Sequence, residues 1–460
     1  MDAFTNDILE TLREATRGTD YEGRLFLVGG FVRDKVMGLS SASDDIDIVL
    51  ESDALALAQF LREAGVAQYE PVVYPRFGTA MVVVSGRDIE LVTARTESYA
   101  PDSRKPEMVK PGTLLDDARR RDFTINTLLE NLHTGEINDP LNRAFDDIHA
   151  KILRTPTDPL LTFQDDPLRM QRAIRFSARF GFQIASETWT AILESASRLQ
   201  IISSERIRDE FCKTLLTSRA AHGLTLLRDS GLLALFAPEL LAMVDVTQNE
   251  FHAYPVWEHT LTALENLPAG ASLTLRLATL FHDVGKPSTK SIGEDGRVHF
   301  YEHQKIGAEM TRAWMNRLKF SNDEIAAVTT LVAQHMRIGE YKPLWTDAAV
   351  RRLIRDLGPQ LEDLFVIHRA DVSALAPGHQ DISRALELRD RIAPILDAQD
   401  ISALTSPLDG ADLMRLLNLP PGRRVGEIKE FLTNEVIDGR LAQGDKESAA
   451  KLAGEFAQRK

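Results

Sequence analysis

The sequence predicts an α+β protein in which a mixed sheet with flanking helices forms a head and the remainder is helical. Short β-rich runs occupy residues 25–28, 79–84 and 88–93, and the Ser-Gly-Arg between the last two is a hairpin signal. Beyond a turn-rich connector at 135–153, helical patterns dominate. We therefore expect four regions: a head at 1–150, an all-α neck and body at 151–245, a second all-α domain at 246–400 and a helical tail at 401–460.

The composition is that of a globular chain with several domains. Its 460 residues are 43% hydrophobic and 27% charged, which allows a sizeable core in two to four domains. The single cysteine, Cys212, excludes an internal disulfide, and no run approaches 18 apolar residues, so we expect a soluble cytoplasmic protein without membrane contact. The net charge of −14 argues against a general nucleic-acid coat, so any RNA contact must use local basic patches.

The first chemical feature is the turn after the strand at 25–28. An amphipathic helix at 1–18 leads into this strand, Gly29 and Gly30 end it, and the following helix opens with Arg33. Two glycines let the backbone approach an anion closely, the helix N-terminus offers unpaired N–H groups, and Arg33 adds a positive charge. The turn is therefore a candidate phosphate site.

A pair of carboxylates follows on the next strand. Residues 45–50, Asp-Ile-Asp-Ile-Val-Leu, alternate in period two, so Asp45 and Asp47 project from one face while the isoleucines enter the core. Two carboxylates about 7 Å apart beside an anion-binding turn suit a pair of Mg²⁺ ions that hold a triphosphate and activate a hydroxyl. Glu90 faces away from the core on its own strand and either adds a third carboxylate or is solvated.

A flexible loop and a basic helix are expected next. Residues 96–113 carry three prolines and few apolar side chains, and residues 116–131 show a helical apolar stripe behind an acidic start. Three consecutive arginines form a dense positive cluster, namely Arg119, Arg120 and Arg121. This cluster suits binding of a triphosphate and an RNA 3′ end, or it is a solvated basic face.

A stripe of arginines marks the neck helix at 168–180. Their 3-3-4 spacing places them along one side, where like charges repel by a few tenths of a kcal/mol per pair unless an anionic ligand or carboxylates offset them. An arginine beside a carboxylate can mimic a Watson–Crick edge, so nucleotide binding and structural salt bridging are both open. A second basic helix from residue 204 either follows an RNA backbone or is a solvated face. The stripe comprises Arg169, Arg172, Arg175 and Arg179, with Asp166 at the helix start.

A second constellation of histidines and aspartates lies between residues 251 and 371. Its members are spread over several helical segments, and imidazole and carboxylate groups are suitable ligands for a divalent metal. An adjacent His-Asp pair alone is a weak signal, whereas the full set predicts a metal site. The set is His259, His282, Asp283, His303, His335 and Asp371.

Four motifs, in order, resemble those of the class II tRNA nucleotidyltransferases, or CCA-adding enzymes, within the DNA-polymerase-β type of nucleotidyltransferase. LVGGFVRD with DIDIV resembles their catalytic signature, and ARRRDFTINTLL, QDDPLRMQRAIRFSARFGF and SSERIRDEF resemble three further elements, over roughly residues 25–220. The resemblance implies a polymerase-β-like head that adds CMP and AMP from CTP and ATP to the 3′ end of tRNA with Mg²⁺. Asp165 stands where the family has glutamate, which affects details of helix capping or arginine support.

The resemblance also implies roles for individual residues. Asp45 and Asp47 would be catalytic and bind the metals, while Asp166 and Arg169 would read the base edges of CTP and ATP. Enzymes that add only A or only CC remain alternatives, as do poly(A) polymerases, although residues 74–84 look more like the tRNA enzymes. The implied nucleotide-binding set is Gly29, Gly30, Arg33, Arg121, Asp166, Arg169, Arg172 and Arg175.

The segments FHDVGKP, FYEHQKIGAEM, LVAQHM and HRADV resemble the HD-domain metal-dependent phosphohydrolases. The resemblance implies that the six histidines and aspartates hold Mg²⁺ or a divalent transition metal, with Asp283 bridging ions or positioning a water and Lys286 meeting a phosphate. It also implies phosphatase or 2′,3′-cyclic phosphodiesterase activity on RNA ends. An alternative of another class makes this site the main activity and the head an RNA-binding module, but such a module would not need the Asp45/Asp47 pair with Arg33. The oligomeric state stays open.

Overall fold

The computed structural model describes residues 3–39, 45–99, 106–294, 296–398 and 404–458. The chain divides into two compact units, Met1–Pro238 and Glu239–Lys460. This division does not separate head from neck or second domain from tail, so the four-region organisation stays a prediction. No helix in the described ranges is long and apolar enough to cross a lipid bilayer.

The head of the first unit is built on a mixed sheet. The described strands are β1 (Phe26–Val28), β2 (Ile46–Leu50), β3 (Val72–Tyr74), β4 (Thr79–Val84), β5 (Arg87–Thr93), β6 (Arg95–Tyr99), β7 (Pro106–Pro111), β8 (Leu129–Asn131) and β9 (Ile137–Asn138). Seven of them form one sheet in the order β3-β4-β5-β2-β1-β8-β9, while β6 and β7 pair with each other. Five helices accompany the sheet: α1 (Ala3–Thr16), α2 (Gly30–Val36), α3 (Ala54–Glu63), α4 (Leu114–Arg119) and α5 (Ala144–Ala150).

Strand β2 occupies the middle of this sheet. It runs antiparallel to β1 and parallel to β5, and Ile46 and Ile48 are buried as the alternation predicts. In the parallel register Asp47 lies opposite Glu90. Glu90 therefore lies beside Asp47 but is also exposed, so both alternatives from the sequence, a third carboxylate and a solvated glutamate, remain open.

The predicted flexible loop at 96–113 is wrong for the residues that the structure describes. Strands β6 and β7 form an antiparallel hairpin with a register shift near Tyr99, and residues 100–105 lie outside the described ranges. The prolines at 106 and 111 stand at the two ends of β7, where a missing N–H does not interrupt the ladder interior. Proline content therefore indicated a loop where the chain forms a two-stranded arm.

The single helix predicted over 116–131 is also wrong. Helix α4 ends at Arg119, Phe123 has extended backbone angles, and only a 3₁₀ turn follows before Leu129–Asn131 pairs with β1. The apolar stripe is nevertheless buried, which is why it resembled a helix face. The pairing of Leu129–Asn131 with the distant strand β1 therefore determines the conformation of this segment. The buried stripe residues are Phe123, Ile125, Leu128 and Leu129.

The helical part of the first unit packs around the predicted arginine helix. This helix, α7 (Leu168–Phe180), is followed by the capping residue Gly181, whose φ of 71° favours glycine. Gly223 lets two neighbouring helices approach, because an added Cβ would lie 2.6 Å from Thr214 Cγ2. The elements are β10 (Ile152–Leu153), α6 (Pro159–Asp165), α7 (Leu168–Phe180), β11 (Gln183–Ile184), α8 (Ser186–Ser195), α9 (Ser204–Leu215), α10 (Ala220–Asp229) and α11 (Leu233–Phe236).

Among its described residues, the second unit is helical apart from one short hairpin. Its core includes Phe281 and Trp314, whose ring centroids are 4.5 Å apart. The elements are α12 (Pro238–Leu241), α13 (Val256–Glu265), α14 (Leu273–Phe281), α15 (Lys286–Thr289), β12 (Lys290–Ile292), β13 (Val298–Phe300), α16 (His303–Arg317), α17 (Asn322–Gln334), α18 (Asp347–Leu357), α19 (Leu361–Ser373), α20 (Ser383–Ala398), α21 (Gly410–Leu417), α22 (Arg423–Ile437) and α23 (Lys446–Gln458).

Gly285 packs closely against the backbone of α16, and its replacement by alanine should be destabilising. An added Cβ would lie 2.2 Å from the carbonyl oxygen of His303 and 2.8 Å from the amide nitrogen of Gly307, and neither backbone atom can rotate away. We expect Gly285→Ala to lower the free energy of unfolding by about 3 kcal/mol, as overpacking does. Gly426→Ala is the matched control, because no atom lies within 4 Å of its added Cβ. Equal melting temperatures for the two variants would contradict the packing.

Candidate functional sites

A cavity of about 830 Å³ in the first unit brings together most of the predicted nucleotide-binding residues. Six arginine and lysine side chains and three carboxylates line it, so its formal charge is positive. Such a cavity suits a polyanion the size of a nucleoside triphosphate. The predicted residues along it are Gly29, Gly30, Arg33, Asp45, Asp47, Arg121, Arg172 and Arg175.

The glycine turn shapes one end of this cavity. Gly29 has φ of 77°, and a Cβ there would lie 3.6 Å from both Arg121 Nη1 and Asp47 Oδ2. Helix α2 begins at Gly30, so its first N–H groups lack intrahelical partners. The turn therefore brings backbone donors, an arginine and a carboxylate within reach of one ligand.

The carboxylate of Asp47, on β2, lies where its surroundings disfavour ionisation. Burial raises the pKa of Asp47 to about 6, with Glu90 and Asp45 adding to the effect and Arg121 opposing it. A divalent cation would remove the repulsion between these carboxylates, and oxygen ligands are what Mg²⁺ prefers. The residues present therefore fit a magnesium site.

Arg33 lines the cavity from a buried and fixed position. Its guanidinium donates to Asp34 Oδ1 at 2.7 Å and to Asn126 Oδ1 at 2.7 Å, and it lies 4.7 Å from the ring centroid of Phe180. Arg121 is anchored in a similar way, because it donates to the buried Asp117 at 2.9 Å. Both arginines are held in place before any ligand arrives.

Buried carboxylates offset much of the arginine stripe. Arg172 donates twice to Asp122, at 2.8 and 2.6 Å, and Arg175 donates to Glu210 at 2.6 Å. Burial alone would raise the pKa of Asp122, but the charge of Arg172 and a hydrogen bond from Asn126 hold it well below its usual range. These salt bridges offset the repulsion among the arginines of the stripe. Arg172 and Arg175 nevertheless still line the cavity.

Asp166 and Arg169 line an adjoining cavity of about 390 Å³. Asp166 accepts a hydrogen bond from Arg206 at 2.8 Å, while Arg169 donates to the carbonyl oxygen of Arg120 at 2.6 Å. Arg206 belongs to the helix for which the sequence left RNA tracking or a solvated face open, but its guanidinium instead holds the candidate base-reading carboxylate.

Several residues at these two cavities escaped the sequence analysis. Asp122, Asn126 and Glu210 position the arginines. Lys213, by contrast, belongs to the second basic helix that the sequence indicated, and it is exposed with no ion-pair partner among the described residues. Asp122 follows Arg121 directly, which is a local signal. Glu210 and Lys213 come from α9, and only tertiary packing brings them to α7.

All six predicted metal-binding residues of the second unit meet at one place. They form two groups, His259 with His282 and Asp371, and Asp283 with His303 and His335, and within each group the ligand atoms lie within 4.8 Å of one another.

Asp283 lies between the two groups. Its Oδ2 is 3.2 Å from His282 Nε2, and its Oδ1 is 3.4 Å from His303 Nε2. This position would let its two oxygens bridge two ions.

The orientation of the histidines fits a metal centre. Each of the four contacts a backbone carbonyl through Nδ1, at 3.3 Å for His259, 2.7 Å for His282 and 2.8 Å for His303 and His335. This arrangement points Nε2 to the centre and is the usual support of a metal-bound imidazole. The buried His282 Nε2 makes no hydrogen bond of acceptable geometry. The donor set and this orphaned nitrogen fit a divalent metal.

A pocket of about 320 Å³ opens onto this centre. Lys286 lines it, and its ammonium lies 2.7 Å from Asp283 Oδ2 and 2.6 Å from Gln248 Oε1. His252 and His299 also line the pocket.

Three protein families match consecutive parts of the chain. The poly A polymerase head domain matches residues 25–154, the probable RNA and SrmB-binding site of polymerase A matches 181–243, and the HD domain matches 251–398.

Curated relatives and a solved structure match nearly the whole length. The A-adding tRNA nucleotidyltransferase of Deinococcus radiodurans is 33% identical over 88% of this chain and 90% of its own. The CC-adding tRNA nucleotidyltransferase of Thermus thermophilus is 32% identical over 92% of each chain. The Bacillus stearothermophilus CCA-adding enzyme, solved in complex with CTP, has the same fold, with a TM-score of 0.69 and 23% identity over 100% of this chain and 99% of that chain.

Proposed function

The chain belongs to the family of tRNA nucleotidyltransferases, and on that premise we propose that it adds CMP and AMP from CTP and ATP to the 3′ end of tRNA without a nucleic-acid template. The observation that carries the proposal is the convergence of the Gly29-Gly30 turn, the Asp45/Asp47 pair and the arginine helix on one positive cavity.

In this proposal the residues of the cavity divide the work. Asp45 and Asp47 hold Mg²⁺, which when bound lowers the barrier to attack of the tRNA 3′-hydroxyl on the α-phosphate and stabilises the leaving pyrophosphate. The Gly29-Gly30 turn, Arg33 and Arg121 bind the triphosphate. Arg172 and Arg175 line the same cavity, and their positive charges are partly balanced by Asp122 and Glu210.

Base selection is assigned to Asp166 and Arg169. Because Arg206 and the Arg120 carbonyl oxygen fix these side chains, their hydrogen-bonding groups are preorganised for a pyrimidine or adenine edge.

We predict that Arg169→Ala lowers kcat/KM for CTP and ATP roughly 100-fold, the loss expected for one charged hydrogen bond, and weakens the preference for CTP over UTP. Steady-state incorporation with each nucleotide measures both effects. Arg208→Ala is the control. Arg208 lies on α9, where it pairs with Asp209 at 2.9 Å, and it lines neither described cavity. An unchanged CTP/UTP ratio would contradict the assignment.

The products distinguish the alternatives within the family. Labelled CTP and ATP, separately and together, should be offered with tRNAs ending in the discriminator base, in C and in CC. Addition of CMP to the shortest tRNA followed by AMP identifies a complete CCA-adding enzyme. AMP addition only to the CC-ended tRNA identifies an A-adding enzyme, CMP addition alone a CC-adding one, and long adenylate tails a poly(A) polymerase.

The HD domain is proposed as a second, metal-dependent phosphohydrolase site. The six ligands would hold two divalent ions, either Mg²⁺ or a transition metal, with Asp283 bridging them and Lys286 meeting the phosphate. The corresponding reaction on a 2′,3′-cyclic phosphate adds one water, breaks one phosphorus–oxygen bond and protonates the freed ribose oxygen, which leaves a phosphate monoester. Metal analysis together with hydrolysis of such a substrate tests this second function.

A further inference from the structure

The pocket at the HD centre has an aromatic wall that the metal ligands do not explain. Phe251 and His299 line this pocket of about 320 Å³, together with Lys286 and the ligands Asp283 and Asp371. One part of the pocket therefore offers carboxylate, imidazole and ammonium groups, and another offers aromatic rings.

Phe251 is exposed but held in place. Its side chain is 44% accessible, and its ring is braced edge-on by His379, with centroids 5.0 Å apart and planes at 82°. Its carbonyl oxygen accepts a hydrogen bond from the amide of Ala376 at 3.0 Å. A fixed, exposed phenylalanine contributes little to the core, so its ring is available to a ligand.

His299 lies on the hairpin strand β13. Its ring stacks on Tyr301, with centroids 5.2 Å apart and planes at 9°, and Tyr301 is itself 69% exposed. The neighbouring Phe300 is already engaged, because Lys286 Nζ lies 5.5 Å from its ring centroid. Only His299 of this stacked pair lines the pocket, so it adds an aromatic ring there beside the candidate metal ligands.

We propose that Phe251 and His299 form a base-stacking subsite, so that the HD centre selects a nucleotide over a phosphate ester without a base. This inference rests on the proposed phosphohydrolase function and adds its specificity-determining residues. Stacking of a base on an aromatic side chain is worth about 1–3 kcal/mol and tolerates every base, so the subsite favours a nucleotide without choosing its sequence. The phosphate would lie at the ligand cluster beside Lys286.

The test uses the metal-loaded full chain and two substrates with the same reacting group, 2′,3′-cyclic AMP and glycerol 1,2-cyclic phosphate. We expect the wild type to prefer the nucleotide. Phe251→Ala and His299→Ala should each raise KM for the nucleotide about tenfold with kcat nearly unchanged, as loss of stacking predicts. Both variants should leave hydrolysis of the glycerol substrate unaltered, and His299→Phe should restore the nucleotide KM.

Ile292→Ala is the matched control, because Ile292 is 73% exposed on the paired strand β12 and does not line the pocket. Equal kcat/KM of the wild type for both substrates, or equal losses on both in the variants, would overturn the stacking subsite while leaving the hydrolase function intact. Hydrolysis of neither substrate would instead count against the hydrolase function. In that case, calorimetry should measure the affinities of the metal-loaded protein for the two compounds. A higher affinity for the nucleotide would support the stacking subsite, and equal affinities would reject it.

Discussion

Replacing Asp47 by asparagine is expected to reduce nucleotide incorporation by about a thousand-fold or more while leaving the protein folded. The substitution keeps the shape of the side chain but removes one of the paired carboxylates proposed to hold Mg²⁺, and a factor of a thousand corresponds to about 4 kcal/mol of lost transition-state stabilisation. Single-turnover incorporation of CMP and AMP into tRNA measures the loss. Asp88→Asn is the control, since Asp88 is an exposed aspartate on the adjacent strand β5 and does not line the cavity.

The same variant should change stability in the opposite direction. Because the pKa of Asp47 is raised to about 6 in the folded protein, ionising this carboxylate costs stability progressively as the pH rises through the range from about 4 to 6. Without metal at pH 7.5, Asp47→Asn should therefore be more stable than the wild type by about 2 kcal/mol, and the difference should shrink toward pH 5.

Adding Mg²⁺ should stabilise the wild type more than the variant, because the cation offsets repulsion among Asp45, Asp47 and Glu90. Thermal melting at the two pH values, with and without Mg²⁺, provides these comparisons. A variant that keeps its incorporation rate, or that is destabilised at pH 7.5, would contradict the assignment of Asp47 as a metal-binding carboxylate whose ionisation is costly.

Local sequence was sufficient for the parts of the head that depend on short-range geometry. The period-two alternation of residues 45–50 predicted which face Asp47 occupies, and the Gly29-Gly30 break predicted the start of α2, because each depends only on neighbouring residues. Strand β8 could not be found in this way. Its conformation depends on pairing with β1 about a hundred residues earlier, while its buried apolar side chains also fit a helical stripe.

The site shows the same limit. Arginine spacing predicted one helix face, but it could not show that Asp122 and Glu210 would neutralise that face from other elements. In the second unit, residue type together with the resemblance to HD-domain motifs selected the metal-ligand candidates. The position of Asp283 between two groups, and the aromatic wall of Phe251 and His299, appear only when distant helices and a hairpin come together.

The bridging position of Asp283 leads to the second large expected effect. Asp283→Asn should abolish phosphohydrolase activity, by about a hundred-fold or more, because one substitution weakens both proposed metal positions. His335→Ala should weaken the group of Asp283, His303 and His335 while leaving the other group its three ligands. Elemental analysis should therefore give two ions per chain for the wild type, one for His335→Ala and close to none for Asp283→Asn.

This graded loss of metal distinguishes a two-ion centre from a single site served by all six ligands, in which either substitution would remove the same one ion. His368→Gln is the control, because His368 lies on α19 with Asp371 but belongs to neither ligand group. The tRNA incorporation rate supplies an internal reference: Asp47 and Asp283 lie in separate compact units, so Asp283→Asn should retain incorporation and Asp47→Asn should retain hydrolysis. If Asp283→Asn lost both activities with its fold intact, the two centres would not be independent, and the assignment of one chemistry to each unit would be wrong.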